Sequence, residues 1–172
     1  LQADKSFARY AQSILEAKMT EVCSTTLPQS VLPAILGDSR YGAHLAARRA
    51  KYSKRAAEAI KVLEKNPNTK SVITKGAFYF SPTFTEDFVN RPFHLEAANA
   101  AAQKLLEKEL TNIPAKDFDK RFCYQLMANC GICVVPLTTG FNSYIPGFRM
   151  TLLESDNKVF TATLKKINQA LS

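Results

Sequence analysis

The segment Cys130–Glu154 carries the strongest structural constraints in this sequence of 172 residues. Gly131 suits the left-handed conformation that ends a helix, and the β-branched run before Pro136 predicts a short buried strand at Ile132–Val135. After a loop, the apolar run Phe148–Leu153 predicts a second strand. The order helix, strand, loop and strand indicates a fold that packs helices on a small sheet.

Arg149 is the one charged residue in the second predicted strand. Burying a guanidinium group without an anion is costly, so we expect an anionic partner for it. That partner is either an Asp or Glu of the protein, in a structural ion pair, or the carboxylate or phosphate of a ligand. The residue type alone leaves both alternatives open.

These two strands resemble the C-terminal part of class I/II aminotransferases, which are pyridoxal-phosphate enzymes of fold type I. The matching motifs are Gly-Ile-Cys-Val-Val-Pro at Gly131–Pro136, Phe-Arg-Met-Thr at Phe148–Thr151, and the loop glycines Gly140 and Gly147 between them. Lys75–Phe80 is similar to the glycine-led aromatic strand of the same domain. Among aminotransferases, the motifs look most like the alanine-transaminase-like branch. The resemblance implies that Arg149 binds the α-carboxylate of the substrate.

The resemblance also implies a cofactor and partners. It predicts the substrate-closing domain of a cytoplasmic, homodimeric enzyme that transfers an amino group between an amino acid and a 2-oxo acid. Such an enzyme holds pyridoxal phosphate on a lysine, in a Ser/Thr-rich context before a Pro-Gly-x-Arg turn, and this context does not occur in the sequence. We therefore expect the cofactor in a full-length parent enzyme, no cofactor in this chain, and no activity of the chain alone.

The expected fold class is α/β or α+β, with a small mixed sheet of about three to four strands and helices packed on one side. Residues 1–37 form a helical segment that would pack on the missing large domain or on the other subunit. Residues 38–172 form the small domain, including a long linking helix. Hydrophobic periodicity and breaker residues predict helices at Asp4–Val22, Leu27–Leu36, Tyr41–Lys65, Pro92–Leu110, Asp117–Asn129 and after Ser155, with further strands at Ser71–Thr74 and Gly76–Phe80. Pro33 is expected to kink or split the second helix.

The formal net charge of +8 raises acidic partners as an alternative function. Much of the excess lies on the predicted helix 41–65, and its basic residues are assigned to an outer face: Arg48, Arg49, Lys51, Lys54, Arg55, Lys61 and Lys65. The alternative is therefore a free-standing, non-catalytic binding module that uses this helix. Nucleic acid is not an expected partner, because the sequence has no zinc-ligand set or aromatic RNA-binding motif.

The cysteines and histidines give no clear sign of a metal or redox site. All four cysteines lie in apolar runs, which is typical of free thiols in a reducing compartment: Cys23, Cys123, Cys130 and Cys133. Cys130 and Cys133 have Cys-x-x-Cys spacing, which is typical of a redox pair or of half a zinc site. A helix end followed by a strand explains the same spacing, and this second interpretation is favoured. His94 is expected to be a capping or surface group. No apolar run reaches the roughly 18 residues of a membrane span, so a soluble protein without a membrane partner is expected.

Overall fold

The computed structural model describes residues 7–19 and 26–172. The chain divides into two compact units, Leu1–Ala46 and Ala47–Ser172. In the described residues, no helix combines the length and apolar character needed to cross a membrane. Positions 4–6 and 20–22 of the first predicted helix, and Cys23, lie outside the described residues.

The first unit contains helices α1 (Ala8–Met19) and α2 (Thr26–Gly37) and the beginning of α3 (Tyr41–Leu63). Pro33 lies inside α2, which continues to Gly37, so the helix is not split as the sequence suggested it could be. No residue of α1 or α2 is buried. The apolar faces that the periodicity predicts are therefore exposed to solvent.

The core of the second unit is built from α3, the sheet and two later helices, α6 (Phe118–Cys130) and α8 (Asn157–Ala170). Its centre is aromatic: the ring of Phe84 lies 5.0 Å from that of Phe122 and 5.9 Å from that of Phe148, centroid to centroid. Offset and edge-on ring contacts of this kind add to the free energy gained by burying the rings. The helix α6 ends as predicted, because Gly131 has a φ of 71° and donates its N–H to the carbonyl oxygen of Met127.

The strands form two small sheets that are entirely antiparallel in the described residues, so the predicted mixed sheet is wrong. The strands are β1 (Thr69–Lys70), β2 (Tyr79–Phe80), β3 (Thr83–Phe84), β4 (Val135–Pro136) and β5 (Phe148–Thr151). The larger sheet has the order β2-β5-β4, and in the smaller one β1 pairs with β3. A connection of residues 137–147 returns the chain from β4 to β5, and this return makes that pair antiparallel.

The strands differ from the sequence expectation: the one expected at Gly76–Phe80 is shortened to β2, and the one expected at Phe148–Leu153 ends at Thr151 as β5. No strand forms at Ser71–Thr74, where Val72 and Ile73 are 82% and 68% exposed and no neighbouring strand pairs with them. The strand expected at Ile132–Val135 is reduced to β4, which includes Pro136. β4 is an edge strand, so no strand pairs with its outer side. A proline, which has no N–H to donate, is tolerated at such an edge.

The helix expected at Pro92–Leu110 begins only at Ala100, as α5 (Ala100–Thr111). Asn99 caps this helix by accepting a hydrogen bond from the N–H of Ala102 at 2.9 Å. The preceding segment instead lies along α6, where the N–H of Leu95 donates to the side-chain oxygen of Gln125. His94 is therefore an exposed residue of an extended segment and not a helix cap.

Two short helices lie in segments that the sequence did not predict to be helical. α4 (Glu86–Asn90) buries Phe88, and α7 (Leu137–Phe141) follows β4 directly. The last helix, α8, follows Ser155 as expected, and it is capped by Asp156, whose carboxylate accepts hydrogen bonds from the N–H groups of Lys158 and Val159.

Arg55 is buried, in contrast to the predicted outer face of the basic helix. Its guanidinium donates to the carbonyl oxygen of Leu152 at 2.6 Å and to the side-chain oxygen of Asn157 at 2.9 Å. Position 55 follows Tyr52 by three residues and precedes Ala59 by four, so it lies within the apolar stripe of α3. Arg55 thus joins α3 to the connection between β5 and α8.

Candidate functional site

Arg149 lies on the outer face of the three-stranded sheet. Side chains alternate along β5, so that Phe148 and Met150 are buried in the core whereas Arg149 is half-buried and Thr151 is exposed. The expectation that Arg149 is buried in the strand is therefore wrong. The period of two places it on the opposite face from its apolar neighbours.

Two aromatic rings flank the guanidinium of Arg149. The Cζ atom lies 3.5 Å from the centroid of the Tyr79 ring and 4.4 Å from that of the Phe141 ring. At 3.5 Å the guanidinium and the Tyr79 ring must be nearly parallel, because an N–H pointing into the ring would hold Cζ farther away. Each such contact stabilises the cation by about 0.5–2 kcal/mol. Stacking on faces leaves the N–H groups at the edge of the guanidinium free to bind an anion.

The internal ion pair that the sequence left open does not form within the described residues. In the described residues an ion pair joins Arg40 to Asp38 at 2.7 Å, and the guanidinium of Arg149 has neither a carboxylate partner nor a hydrogen-bond acceptor. The guanidinium is thus held by rings and not by a carboxylate of this part of the chain.

An open cavity of about 410 Å³ adjoins Arg149. The cavity is shallow, because two of its lining residues, Val72 and Ile73, are 82% and 68% exposed. Apolar, small and hydroxyl-bearing residues line it together with the arginine: Val72, Ile73, Thr74, Gly76, Tyr79, Ser81 and Arg149. None of these lining residues is acidic, so the positive charge of Arg149 faces the cavity without a competing carboxylate.

Asp119 anchors the connection between β4 and β5. Its carboxylate is fully buried and accepts hydrogen bonds from the N–H of Thr138 at 2.8 Å, from the hydroxyl of Thr138 at 2.6 Å and from the N–H of Gly147 at 3.4 Å. A side chain at Gly147 would meet the carbonyl oxygen of Pro82 at 2.4 Å, so a glycine is required there. The connection carries Phe141 to the guanidinium of Arg149.

Sequence reasoning did not single out Tyr79, Phe141 or Asp119. The signal for Asp119 was present, because an acidic residue between Phe118 and Phe122 interrupts the apolar face of α6. The aromatic contacts depend on strand register: Tyr79 lies opposite Thr151, which shares the outer face with Arg149. Single-sequence patterns do not reveal such a register.

A second cavity, of about 370 Å³, lies beside α3 and is lined by three cationic residues and no acidic one. These residues are Arg48, Arg49 and Lys75. The side chain of Arg48 donates to the hydroxyl oxygen of Tyr52 at 3.1 Å, which orders one of the three cations. Thus part of the predicted basic face does exist, although Arg55 does not belong to it.

Cys123, Cys130 and Cys133 are free thiols, whereas Cys23 lies outside the described residues. Cys130 is the last residue of α6, so the Cys-x-x-Cys spacing coincides with the helix end that the sequence favoured. Burial raises the pKa of the Cys123 thiol well above its ordinary value, and the negative charge of Asp119 adds to the effect. The described residues contain no group of His, Cys, Asp and Glu side chains that could hold a metal ion.

The lysines of the described residues lack the setting that a pyridoxal-phosphate site requires. A lysine that reacts with the cofactor requires a desolvated setting, and no lysine in residues 7–19 or 26–172 is buried. The described residues therefore do not fit the cofactor that the resemblance implies.

No family model matches the chain. The chain is 37% identical over 172 positions to an uncharacterized aminotransferase of Methanocaldococcus jannaschii. The aligned region covers 98% of this chain but 39% of the relative, so the chain spans about two fifths of that protein's length. This similarity supports the interpretation of the chain as a segment of an aminotransferase.

Proposed function

We propose that this chain is the C-terminal, substrate-closing domain of a fold-type I, pyridoxal-phosphate-dependent aminotransferase, in which Arg149 binds the α-carboxylate of the substrate. One observation carries the proposal: the guanidinium is held between Tyr79 and Phe141, faces an open cavity and has no carboxylate partner among the described residues. The similarity to the archaeal aminotransferase supports the same function.

The geometry suits recognition of a carboxylate. A planar guanidinium binds a carboxylate through two parallel N–H···O bonds, and the flanking rings restrict its rotation before the ligand arrives. The amino acid and the 2-oxo acid of a transamination both carry this carboxylate. A single arginine can therefore orient both substrates.

The cofactor and its lysine are proposed to come from sequence outside these 172 residues. Pyridoxal phosphate supplies the electron sink for amino-group transfer. In this proposal the present chain binds the carboxylate, and residues 1–37 pack on the cofactor-binding domain or on the second subunit of a homodimer. A cytoplasmic location and inactivity of the isolated chain stay predictions.

Substitution of Arg149 by Lys tests the proposed role. In an aminotransferase that contains this segment, Arg149→Lys should lower kcat/KM for both amino acid and 2-oxo acid, since lysine lacks the planar guanidinium fork. The decrease should correspond to a loss of about 2–5 kcal/mol of transition-state stabilisation. Reaction with amines that lack a carboxylate should be unchanged. Arg91→Lys, at an exposed arginine that stacks on Phe88 and lines neither this cavity nor the cationic one, is the matched control.

The same substitution can be examined in the chain itself by titration with pyruvate, following by NMR the backbone amide signals of residues that line the cavity, which are present in every variant. Wild type and Arg91→Lys should respond to pyruvate, whereas Arg149→Lys should bind it at least about tenfold more weakly. Near-normal kcat/KM in the enzyme, or unfolding of Arg149→Lys, would instead assign Arg149 a purely structural role.

The cavity of Arg48, Arg49 and Lys75 favours a second candidate function, a non-catalytic module that binds an acidic partner. Binding of a poly-glutamate peptide, abolished in Arg48→Glu/Arg49→Glu and retained in Arg149→Lys, would support this candidate. The opposite dependence, with pyruvate binding lost only in Arg149→Lys, would support the aminotransferase domain.

A further inference from the structure

Asp119 is a buried carboxylate that accepts three hydrogen bonds and has no ion-pair partner in the described part of the chain. Its donors come from Thr138 and Gly147, which are 19 and 28 residues away in sequence. Two of them are backbone N–H groups, which can only donate, and the third is the Thr138 hydroxyl, which can donate or accept. Removal of the carboxylate therefore leaves both N–H groups without their acceptor.

The two contact points of Asp119 mark the ends of a single loop. Thr138 lies in the first turn of α7, and Gly147 immediately precedes β5. The loop is also closed at its base, because the N–H of Leu137 donates to the carbonyl oxygen of Gly147 at 3.1 Å. Fixing both ends limits the positions that the rest of the loop can adopt.

The anchored loop leads to both partners of one contact. Phe141 ends α7, three residues after Thr138, and Arg149 follows Gly147 by two residues. The centroid of the Phe141 ring lies 4.4 Å from the Cζ atom of Arg149. Movement of either anchor point would therefore shift the ring relative to the guanidinium.

We propose that Asp119 is a positioning residue for Arg149. It holds the Leu137–Gly147 connection so that Phe141 stays against the guanidinium, and thereby keeps the N–H edge of Arg149 directed to the cavity. The inference rests on the proposed carboxylate-binding function for its effect on affinity, although its effect on the arginine itself is independent of any ligand.

The first readout uses no ligand. Stacking on rings shifts the Nε–H proton of Arg149, and Asp119→Ala, which removes all three anchor hydrogen bonds, should return this signal toward that of an unstacked arginine. Glu109→Ala removes a carboxylate from an exposed position on α5 and should leave the signal unchanged. An unchanged Arg149 signal in a folded Asp119→Ala protein would overturn the inference, whatever the outcome of ligand binding.

The second readout is the affinity for pyruvate. Loss of the well-formed hydrogen bonds at the anchor should weaken binding by about 5- to 30-fold in Asp119→Ala. In an Arg149→Lys background the same substitution should have little further effect, because Asp119 acts through Arg149. An equal effect in both backgrounds would show that Asp119 acts by another route and would contradict the proposal.

Thr138 supplies a milder pair of variants, which keeps the test decisive if Asp119→Ala does not fold. Thr138→Ser retains both hydrogen bonds to Asp119 and should behave like wild type, whereas Thr138→Val loses the hydroxyl contact of 2.6 Å and should weaken pyruvate binding and shift the Arg149 signal. Equal behaviour of the two variants would overturn the inference. Failure of wild type to bind pyruvate, with the Arg149 signal still dependent on Thr138, would reject the carboxylate-binding function but keep the positioning role.

Discussion

At the residue scale, Arg149 illustrates how a charge can be held without an ion pair. Two rings stabilise the guanidinium at least as much as an exposed salt bridge would, since each ring contributes about 0.5–2 kcal/mol and such a bridge contributes about 0–1 kcal/mol. An ion pair with the protein would occupy the N–H edge, and the rings do not. The arrangement thus fixes the arginine and still leaves its directional donors for a ligand.

Because of Cys123, the free energy of unfolding should decrease at alkaline pH. Its folded-state pKa is raised, first by burial and then by Asp119, above its unfolded value of about 8.5. The folded protein therefore retains a proton that the unfolded chain releases, so the stability contributed by the neutral thiol is fully present below about pH 8.5 and decreases as the pH rises. The slope should approach about 1.4 kcal/mol per pH unit above that value.

Urea denaturation between pH 7 and 10 measures this dependence. Cys123→Ala should have a shallower decrease in the free energy of unfolding than wild type, whereas Cys133→Ala, at an exposed thiol, should retain the wild-type slope. Parallel slopes for wild type and Cys123→Ala would show that Cys123 is not the responsible group.

At the element scale, the sequence predicts long helices well and short strands poorly. The basic helix predicted at Tyr41–Lys65 is α3, and the helix end at Gly131 is found as expected, because periodicity over many residues and a left-handed glycine are local signals. β1 and β2 have two residues each, and their positions depend on partners distant in sequence. Val72 and Ile73 have strand propensity but no strand beside them, so propensity alone gave the wrong element.

The candidate site divides in the same way. Arg149 could be singled out from one strand and its flanking glycines, whereas Tyr79 and Phe141 reach it through strand pairing and the placement of α7. Arg55 was misplaced because the count of basic residues on α3 outweighed its position in the apolar stripe. Tertiary contacts, which the local pattern does not contain, decided each of these cases.

Arg55 should stabilise the packing of α3 against the connection between β5 and α8. Arg55→Met keeps much of the side-chain volume but leaves the carbonyl oxygen of Leu152 without its donor, which should cost about 1–3 kcal/mol of unfolding free energy. The loss should not be larger, because the charge of Arg55 has no buried carboxylate that would be left unpaired.

Lys54→Met is the matched control, since Lys54 is the exposed neighbour of Arg55 on the same helix. This variant should stay within about 0.5 kcal/mol of wild type in urea denaturation. Equal stability of Arg55→Met and Lys54→Met would mean that the contacts of Arg55 contribute no net free energy.

At the scale of the whole molecule, the first unit differs from the second in what its helices cover. The second unit has a continuous core, whereas α1 and α2 contain no buried residue. Their large apolar side chains are between 43% and 78% exposed: Tyr10, Ile14, Leu15, Met19, Leu27, Val31, Leu32, Ile35 and Leu36. Contiguous apolar surface beyond a few hundred Å² is unusual on a monomer, so these faces are suited to a protein partner.

In solution, the chain should therefore self-associate through the first unit. Sedimentation or light scattering over a wide concentration range should show species larger than the monomer, and Leu15→Glu/Leu32→Glu should shift the population toward monomer, because charges within an apolar contact are costly to desolvate. Leu105→Glu introduces the same charge at a residue on α5 that is 65% exposed, and it should leave the association unchanged. A wild-type chain that stays monomeric at all concentrations would contradict this prediction. An equal effect of Leu105→Glu would instead indicate association driven by general hydrophobicity, without the specific apolar faces of α1 and α2 that the proposed packing of residues 1–37 requires.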